Sequence, residues 1–594
     1  MTHCGAYNMS EEHEFRGSRG LSVRSIFIAS LVSLFVGLSS TYIAIFLSGL
    51  PWPIILSVVL SYTLLSVLDR ALGGRHSEHE TNVAQAGGSV GGLIAAGVVF
   101  TIPAYLVLSQ NFNYDLHLPP LHIMMLISIV AALLGIALSL PVRRITIDEE
   151  DLPYPSGYAG AEVLLAVERR EYGARLVFFF GVLAAIFTAI SRGILQINIP
   201  PWEIHVLSIV IIIQFLPLLV AVGAGYIMGP TPSFSWFFGA IIGWLLLMPI
   251  LQLLGYSEFI LPVQNLGMGI VLGAGLGFLF FRALPKSGKA YKAFLSFKPS
   301  TPAMGLPLVL SIVSYVVLVV IGINYLGALL GVLGAWVMSA VAGRTTGETN
   351  IDPLEQFGLM VGLFAMYFLS FVGVTMDLNQ AILLTAFVSI ASALAGDIGH
   401  DFKSAKVVGT RPIDIVYSDM VASIVGGIVV PLALMVVLRA YPEVLSLEYP
   451  TALQSKLVAT TLAGEIYLSF FLWGLLIGII LEAISVLLEK KGKRLPLSTI
   501  ALGVGIFLGF SLAILVIVGG ILRIVMSKKG EKYERNGVLA VSGIMGGEGI
   551  VGFILALIAI MGAELLLPSA VVIIVIALIL GIAIGIRGEE RAKN

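Results

Sequence analysis

Apolar runs of about 20 residues, the length that spans a hydrocarbon core of roughly 30 Å as a helix, recur from Ser25 to Arg587 with little polar chain between them. That recurrence decides the class of fold before any motif is read. The 594 residues are 58% hydrophobic and 12% charged, which no soluble domain of this size can hide. The runs are continuous rather than alternating, so helices are favoured over a barrel. The expected fold is an all-α polytopic membrane protein. It should have about sixteen transmembrane helices in two tandem homologous halves, with broken or re-entrant helices. Glycine is frequent, at 65 residues, which suits close helix packing and such breaks.

Lysine and arginine sort into short loops. Arg282, Lys286, Lys289, Lys292 and Lys298 lie in one of them. The positive-inside rule makes that loop cytoplasmic. The eight spans before it make the N-terminus cytoplasmic too. The expected organisation is a tail at 1–24, a first transmembrane repeat at 25–284, a basic cytoplasmic linker at 285–303, a second repeat at 304–562, and a last helix and tail at 563–594. One conflict stands out. Lys490–Arg494 and Lys528–Arg535 both look cytoplasmic, yet a single apolar stretch, 497–526, separates them. Gly503, Gly505 and Gly509 within it suit a broken helix or a re-entrant hairpin. The first twenty residues lack the pattern of a cleaved signal, so the apolar segment 25–48 reads as a retained helix. Cys4 is the only cysteine, which excludes an internal disulfide. A net charge of −1 gives no footprint for nucleic acid.

Glu80-Thr-Asn and Glu348-Thr-Asn repeat a polar triplet at an offset of 349 − 81 = 268 residues. Gly223-Ala-Gly-Tyr-Ile-Met-Gly and Gly503-Val-Gly-Ile-Phe-Leu-Gly repeat at 503 − 223 = 280. Asn265-Leu-Gly-Met-Gly is echoed by Ser542-Gly-Ile-Met-Gly. With about eight spans per half, these echoes suggest a direct repeat whose halves share one orientation.

Polar groups within apolar sequence are expensive and mark candidate sites. Asn82 and Gln85 lie three apart on one helical face. Glu348, Asp352 and Glu355 put three carboxyls within eight residues, and Pro353 after Asp352 signals a helix start. Asp397, His400, Asp401 and Lys403 cluster at the end of a span, with Asp414 and Asp419 opening the next. The segment from Asp151 to Glu162 is bounded by Pro153 and Pro155. Its helix either lies at the water boundary or aims its N-terminus at a gate, with Glu162 able to exchange a proton. The substrate candidates are Asn82, Gln85, Tyr158, Asn265, Asn350 and Asp352. The proton-coupling candidates are Glu80, Glu162, Glu348, Glu355, Asp397 and Asp401. No metal site is expected, because no second histidine lies near His400, and Lys403 and Lys406 disfavour a cation. No P-loop, G-x-S-x-G or H-E-x-x-H is present, so the chain is expected to be no enzyme, to carry no cofactor, and to draw energy from an ion gradient. A pyrophosphatase-like intramembrane enzyme needs denser acidic clusters. A passive channel is the remaining alternative.

Leu152-Pro-Tyr-Pro-Ser-Gly-Tyr-Ala-Gly-Ala-Glu-Val-Leu resembles a proline-bounded motif of the oligopeptide transporter family, which includes the yellow-stripe metal-chelate transporters. Gly223–Gly229, Asn265–Gly269, Gly347–Pro353 and Asp401–Pro412 resemble further motifs of that family, in order across about 80–550. The resemblance implies a proton-coupled importer of oligopeptides or of metal–chelate complexes, with about sixteen helices, working as a homodimer. The short loops resemble those of compact prokaryotic members, which implies a multi-pass protein of the prokaryotic plasma membrane.

Overall fold

A computed structural model describes residues 17–560 apart from 51–52, 169–172, 195–201, 207–208, 214–215, 284–301, 351, 448 and 450. The tail through residue 16, most of the linker 285–303 and the expected helix beyond 560 lie outside the described residues. Nearly all the rest is helical. Among the described residues, fourteen helices are long and apolar enough to cross a bilayer, and three shorter apolar helices accompany them. The protein is an all-α polytopic membrane protein.

The chain begins with α1 (Val23–Leu47), α2 (Ile54–Leu72) and α3 (Glu78–Val99). Ser77 opens α3 with a reciprocal cap. Its hydroxyl accepts from Glu80 N at 3.2 Å, and Glu80 Oε2 accepts from Ser77 N at 3.2 Å. Pro103 cannot donate to a continuing helix, so the span breaks and resumes as α4 (Ala104–Phe112). Then come α5 (Leu121–Arg143), the short α6 (Pro155–Glu168) and α7 (Gly173–Thr188).

The apolar sequence after α7 does not form one long helix: its described residues make a β-hairpin and a half-length helix. Strands β1 (Trp202–Val206) and β2 (Ile209–Ile213) pair antiparallel, with Ile204 opposite Ile211. A β-branched run, Ile-Val-Ile-Ile-Ile, prefers the extended form. Gln252 holds the hairpin's edge, donating to Val210 O at 2.9 Å and accepting from Val210 N at 2.7 Å. His205 is exposed in β1, and the Trp202 side chain lies outside the described residues.

Helix α8 (Leu219–Met228) stops at Gly229 and the chain restarts as α9 (Pro230–Ala240), continuing through α10 (Met248–Leu253). After α11 (Ile260–Phe278) and α12 (Pro302–Val320) come α13 (Tyr325–Thr349), α14 (Leu354–Phe371), α15 (Leu378–Val408) and α16 (Pro412–Ala440). The chain closes with α17 (Leu453–Ala463), α18 (Leu468–Lys490), α19 (Thr499–Leu508), α20 (Phe510–Lys529) and α21 (Glu531–Ile560). The stretch 497–526 is thus two helices, broken at Gly509. Gly509 (φ 62°, ψ −145°) and Gly229 (φ 86°, ψ −179°) occupy backbone regions that a side chain resists, and they stand 280 residues apart. The glycine echo in the sequence marks a matched pair of breaks.

Packing between helices repeats across the chain. Helix α1 lies along α3, as α13 lies along α15. Helix α8 packs on α20, as α9 packs on α19; α7 pairs with α21, as α11 pairs with α18. The sense is opposite in the first two of these pairs. Arg24, Asp69 and Glu80 meet where α1 starts, α2 ends and α3 starts. Tyr154 N donates to Gly347 O, and Lys403 reaches Asp151, so α13 and α15 end on that same face. Helices α1 and α3 therefore leave this face, while α13 and α15 arrive at it. These two helix pairs thus cross in opposite senses. The Glu-Thr-Asn triplets sit at opposite helix ends: the first begins α3, and the second ends α13. The face also carries Arg70, Arg75, Arg143, Lys406 and Arg411, and is called the basic face below.

Candidate functional site

Helix α15 is the organising element. Its apolar span is wholly buried inside the protein, so the polar residues in its last turns are shielded from lipid by neighbouring helices. Asp401 is 1% exposed. Gln85 Nε2 donates to its Oδ1 at 3.0 Å, and Ser89 Oγ lies 3.4 Å from its Oδ2. One turn further on, Ser404 donates to Asn82 Oδ1 at 2.9 Å, and Asn82 Nδ2 donates to Thr410 Oγ1 at 3.1 Å. Asn82, Gln85 and Ser89 share a face of α3 because they are three and four apart. Helices α3 and α15 run antiparallel, so that face zips onto Ser404 and Asp401 in reverse order. Asp419 of α16 is fully buried beside Asp401, and among the described residues no donor reaches either of its oxygens.

Asp397 is one turn earlier on α15 and faces Asp352, whose loop joins α13 to α14. Asn350 ends α13 in a left-handed conformation (φ 62°), and its Oδ1 accepts from Ser156 N at 3.0 Å. Glu355 and Gln356 follow in the first turn of α14 and are buried. Among the described residues, no lysine or arginine forms an ion pair with Asp352, Asp397, Asp401 or Asp419. Acidic oxygens without cations therefore run through the protein interior from α14 to α16.

The proline-bounded segment closes this line at the basic face. Asp151 (φ 48°) and Tyr154 (φ 38°) adopt left-handed conformations, a strain that residues other than glycine rarely carry. The strain is held by several contacts. Tyr154 is fully buried between Gly347 and Gly399, and its hydroxyl donates to Gly343 O at 2.5 Å. Gly157 N donates to His400 Nδ1 at 3.2 Å. Asp151 Oδ1 accepts from Lys403 at 3.0 Å and Lys406 at 2.7 Å. These hydrogen bonds and charges hold the Asp151 carboxyl below its usual range.

The other sequence candidates lie elsewhere. Glu80 pairs with Arg24 at 2.5 Å on the basic face, where Arg24 also meets Asp69 at 2.9 Å. Glu348 pairs with Arg344 at 2.9 Å. Tyr158 and Glu162 are exposed on α6. Asn265 is at the opposite end of the protein, where its Oδ1 accepts from Tyr467 N at 3.2 Å. It lines a cavity of about 180 Å³ with Gln264, Thr460 and Glu465. Two further carboxyls set in apolar sequence, Glu482 and Glu548, also find partners. Glu482 pairs with Arg282 at 2.5 Å, and Glu548 accepts from Val220 N at 2.6 Å at the start of α8. Ser89 and Tyr154 escaped the sequence reading. Ser89 was signalled only by its position four residues after Gln85, and Tyr154 only by its flanking prolines.

Carboxyls and amides sealed among crossing and half-crossing helices suit a membrane transporter, which must shelter polar groups from lipid. Residues 20–272 and 289–559 match the family described as OPT oligopeptide transporter protein, and the chain belongs to that family. It is similar to a protein of Haemophilus influenzae that carries the name of an oligopeptide transporter, with 24% identity over 566 residues, 81% of this chain and 87% of that one. It is also similar to a metal-nicotianamine transporter of Arabidopsis thaliana, with 22% identity over 505 residues, 71% of this chain and 73% of that one. The protein is a multi-pass membrane transporter rather than an enzyme.

Proposed function

We propose that this protein is a proton-coupled importer of oligopeptides or related peptide-like molecules. Its membrane is the prokaryotic plasma membrane, its basic face and N-terminus are cytoplasmic, and it works as a homodimer. The observation that carries the reading is Asp401, buried beside Asp419 and gripped by Gln85 and Ser89, with no lysine or arginine paired to it among the described residues. A carboxylate with adjacent amides suits a peptide: the carboxylate takes an ammonium group, and the Asn82 and Gln85 amides pair with peptide bonds. Titratable carboxyls in series supply places for a coupled proton. The segment around Tyr154 is the inner gate, because it covers this series on the side where cargo would leave.

Metal–chelate import is the second reading. It is favoured by the likeness to the metal-nicotianamine transporter. Purified protein in lipid vesicles, with acid outside, separates the two. Di- to hexapeptides should accumulate and be released by a protonophore, whereas iron chelates should not. Accumulation of chelates alone would move the cargo to the second reading. Uptake that ignores the protonophore would remove proton coupling.

A further inference from the structure

Gly396, beside Asp397 on α15, marks a place where two side-chain oxygens from outside α15 close on its backbone. A methyl group built there would fall 2.8 Å from Asp352 Oδ2 and 3.0 Å from Thr346 Oγ1. Asp352 reaches this spot because Asn350 turns the chain sharply at the end of α13. Both Asp352 oxygens, Asp397 Oδ1 and Thr346 Oγ1 are buried, and among the described residues no hydrogen-bond partner reaches them. Thr346 is fully buried and comes from α13, so it approaches the carboxyls from a third element.

Asp352 Oδ2 packs against the α15 backbone at Gly396, the residue before Asp397, so the two carboxyl groups are close neighbours. Ionised carboxylates have only acceptor oxygens, so a hydrogen bond between them needs a proton on one of them. The charged and titratable surroundings offer no substitute. Glu355 faces the pair from α14 and Asp401 from α15, and the Tyr154 hydroxyl approaches from the gate segment. Arg344, the charged neighbour on α13, is engaged with Glu150 at 2.8 Å and with Glu348. Two bare carboxylates side by side away from water repel each other, and one proton between them removes that repulsion.

We propose that Asp352 and Asp397 form a two-carboxyl proton carrier that holds one shared proton, with Thr346 as the hydroxyl that donates to the pair once the proton has left. The proposal names the coupling site of the importer proposed above and rests on that reading for its transport consequence. The proton held by the pair stands apart from the cargo groups Asn82, Gln85 and Asp401. It therefore binds and leaves without competing for the same atoms. Asp352 sits on a loop and Asp397 on a buried helix, so a small movement of that loop parts the pair and releases the proton.

Infrared spectroscopy of the full chain in lipid vesicles reads the shared proton directly. At neutral pH the wild-type protein should show the carbonyl stretch of a protonated carboxyl. Asp352→Asn and Asp397→Asn should each remove it, because the surviving carboxylate then accepts from the new amide. A band unchanged in both variants overturns the proposal. Thr346→Val keeps the volume and removes the hydroxyl, and should shift the pH at which the band disappears. If either asparagine variant fails to fold, that shift decides the matter, and its absence counts against the proposal. Thermal unfolding in sodium chloride against choline chloride provides the opposing arm. Stabilisation specific to sodium, lost in Asp397→Asn, would make the pair a sodium site and overturn the proton. Acid-driven uptake of tetra-alanine is scored separately. If wild-type protein takes up none, the import reading fails, while the infrared result still decides the pair.

Discussion

The Gln85 side-chain amide donates to Asp401 Oδ1 at 3.0 Å, joining the second turn of α3 to the end of α15 across 316 residues of sequence. This bond fastens the two inward-facing helices to each other at the level of the acidic line. Gln85→Leu keeps the bulk and removes the donor. The loss should cost about 1–3 kcal/mol, the penalty of a buried acceptor left without its donor. Thermal unfolding in detergent should show a lower midpoint, and peptide uptake should fall. A variant with wild-type melting and uptake would show that Asp401 does not depend on Gln85.

Tyr154 fills the space left by two glycines. A methyl group at Gly399 would meet Tyr154 Cε1 at 2.1 Å, and one at Gly347 would meet Cε2 at 2.7 Å. Gly399→Ala should therefore push the ring out and loosen the gate segment. Tyr154→Phe loses only the bonds to Gly343 and Thr146, worth about 1 kcal/mol each. A cysteine placed at Asp151 should react faster with a maleimide in Gly399→Ala than in Tyr154→Phe. Equal labelling rates would mean that the ring does not hold the segment closed.

His76 bridges the basic face. Its Nδ1 lies 2.6 Å from Asp69 Oδ2, and its Nε2 lies 3.3 Å from Glu168 Oε1, so it ties the end of α2 to the end of α6. Burial alone lowers the affinity of this imidazole for a proton, but the hydrogen bonds and charges of Glu168 and Asp69 outweigh it and raise its pKa above 6.5. A raised pKa means that the folded state holds the proton more tightly than the unfolded chain. The stabilisation is fully present below the unfolded value and is lost as pH climbs through the folded one. Wild-type protein should thus melt higher at about pH 6 than at about pH 9, and His76→Gln should flatten that difference. An unchanged slope in the variant would assign the pH dependence to other groups.

The two helix breaks should differ in their tolerance of a side chain. Alanine at either glycine takes on a backbone conformation that costs about 1–3 kcal/mol. At Gly509 the new methyl also lands 2.4 Å from the Trp244 ring, whereas at Gly229 the nearest atom is the end of the flexible Arg523 side chain, 3.2 Å away. Gly509→Ala should lower the melting midpoint more than Gly229→Ala. The reverse order would place the rigid break at Gly229.

Much of the fold is legible in the sequence because hydropathy acts locally. A helix that must satisfy its own backbone in lipid announces itself by about 20 apolar residues, whatever its neighbours do. The break at 497–526 was visible because its glycines sit between two basic loops. The hairpin at 202–213 was not, because a β-branched apolar run has the same hydropathy as a helix. The acid and amide groups at Asn82, Gln85, Asp352, Asp397 and Asp401 could be named from their apolar context, but their pairing could not. Glu80 and Glu348 had the same context, yet arginines on the basic face hold both of them.

The chain by itself therefore determined the membrane class, the family and the polar residues that needed shelter. Tertiary structure alone decided that α3 and α15 run in opposite directions, that matching Glu-Thr-Asn triplets open one helix and close another, and that Asp352 reaches Asp397. The reason is physical. Burial propensity is a property of each short segment, whereas the direction and depth at which two helices meet follow from packing among all the others.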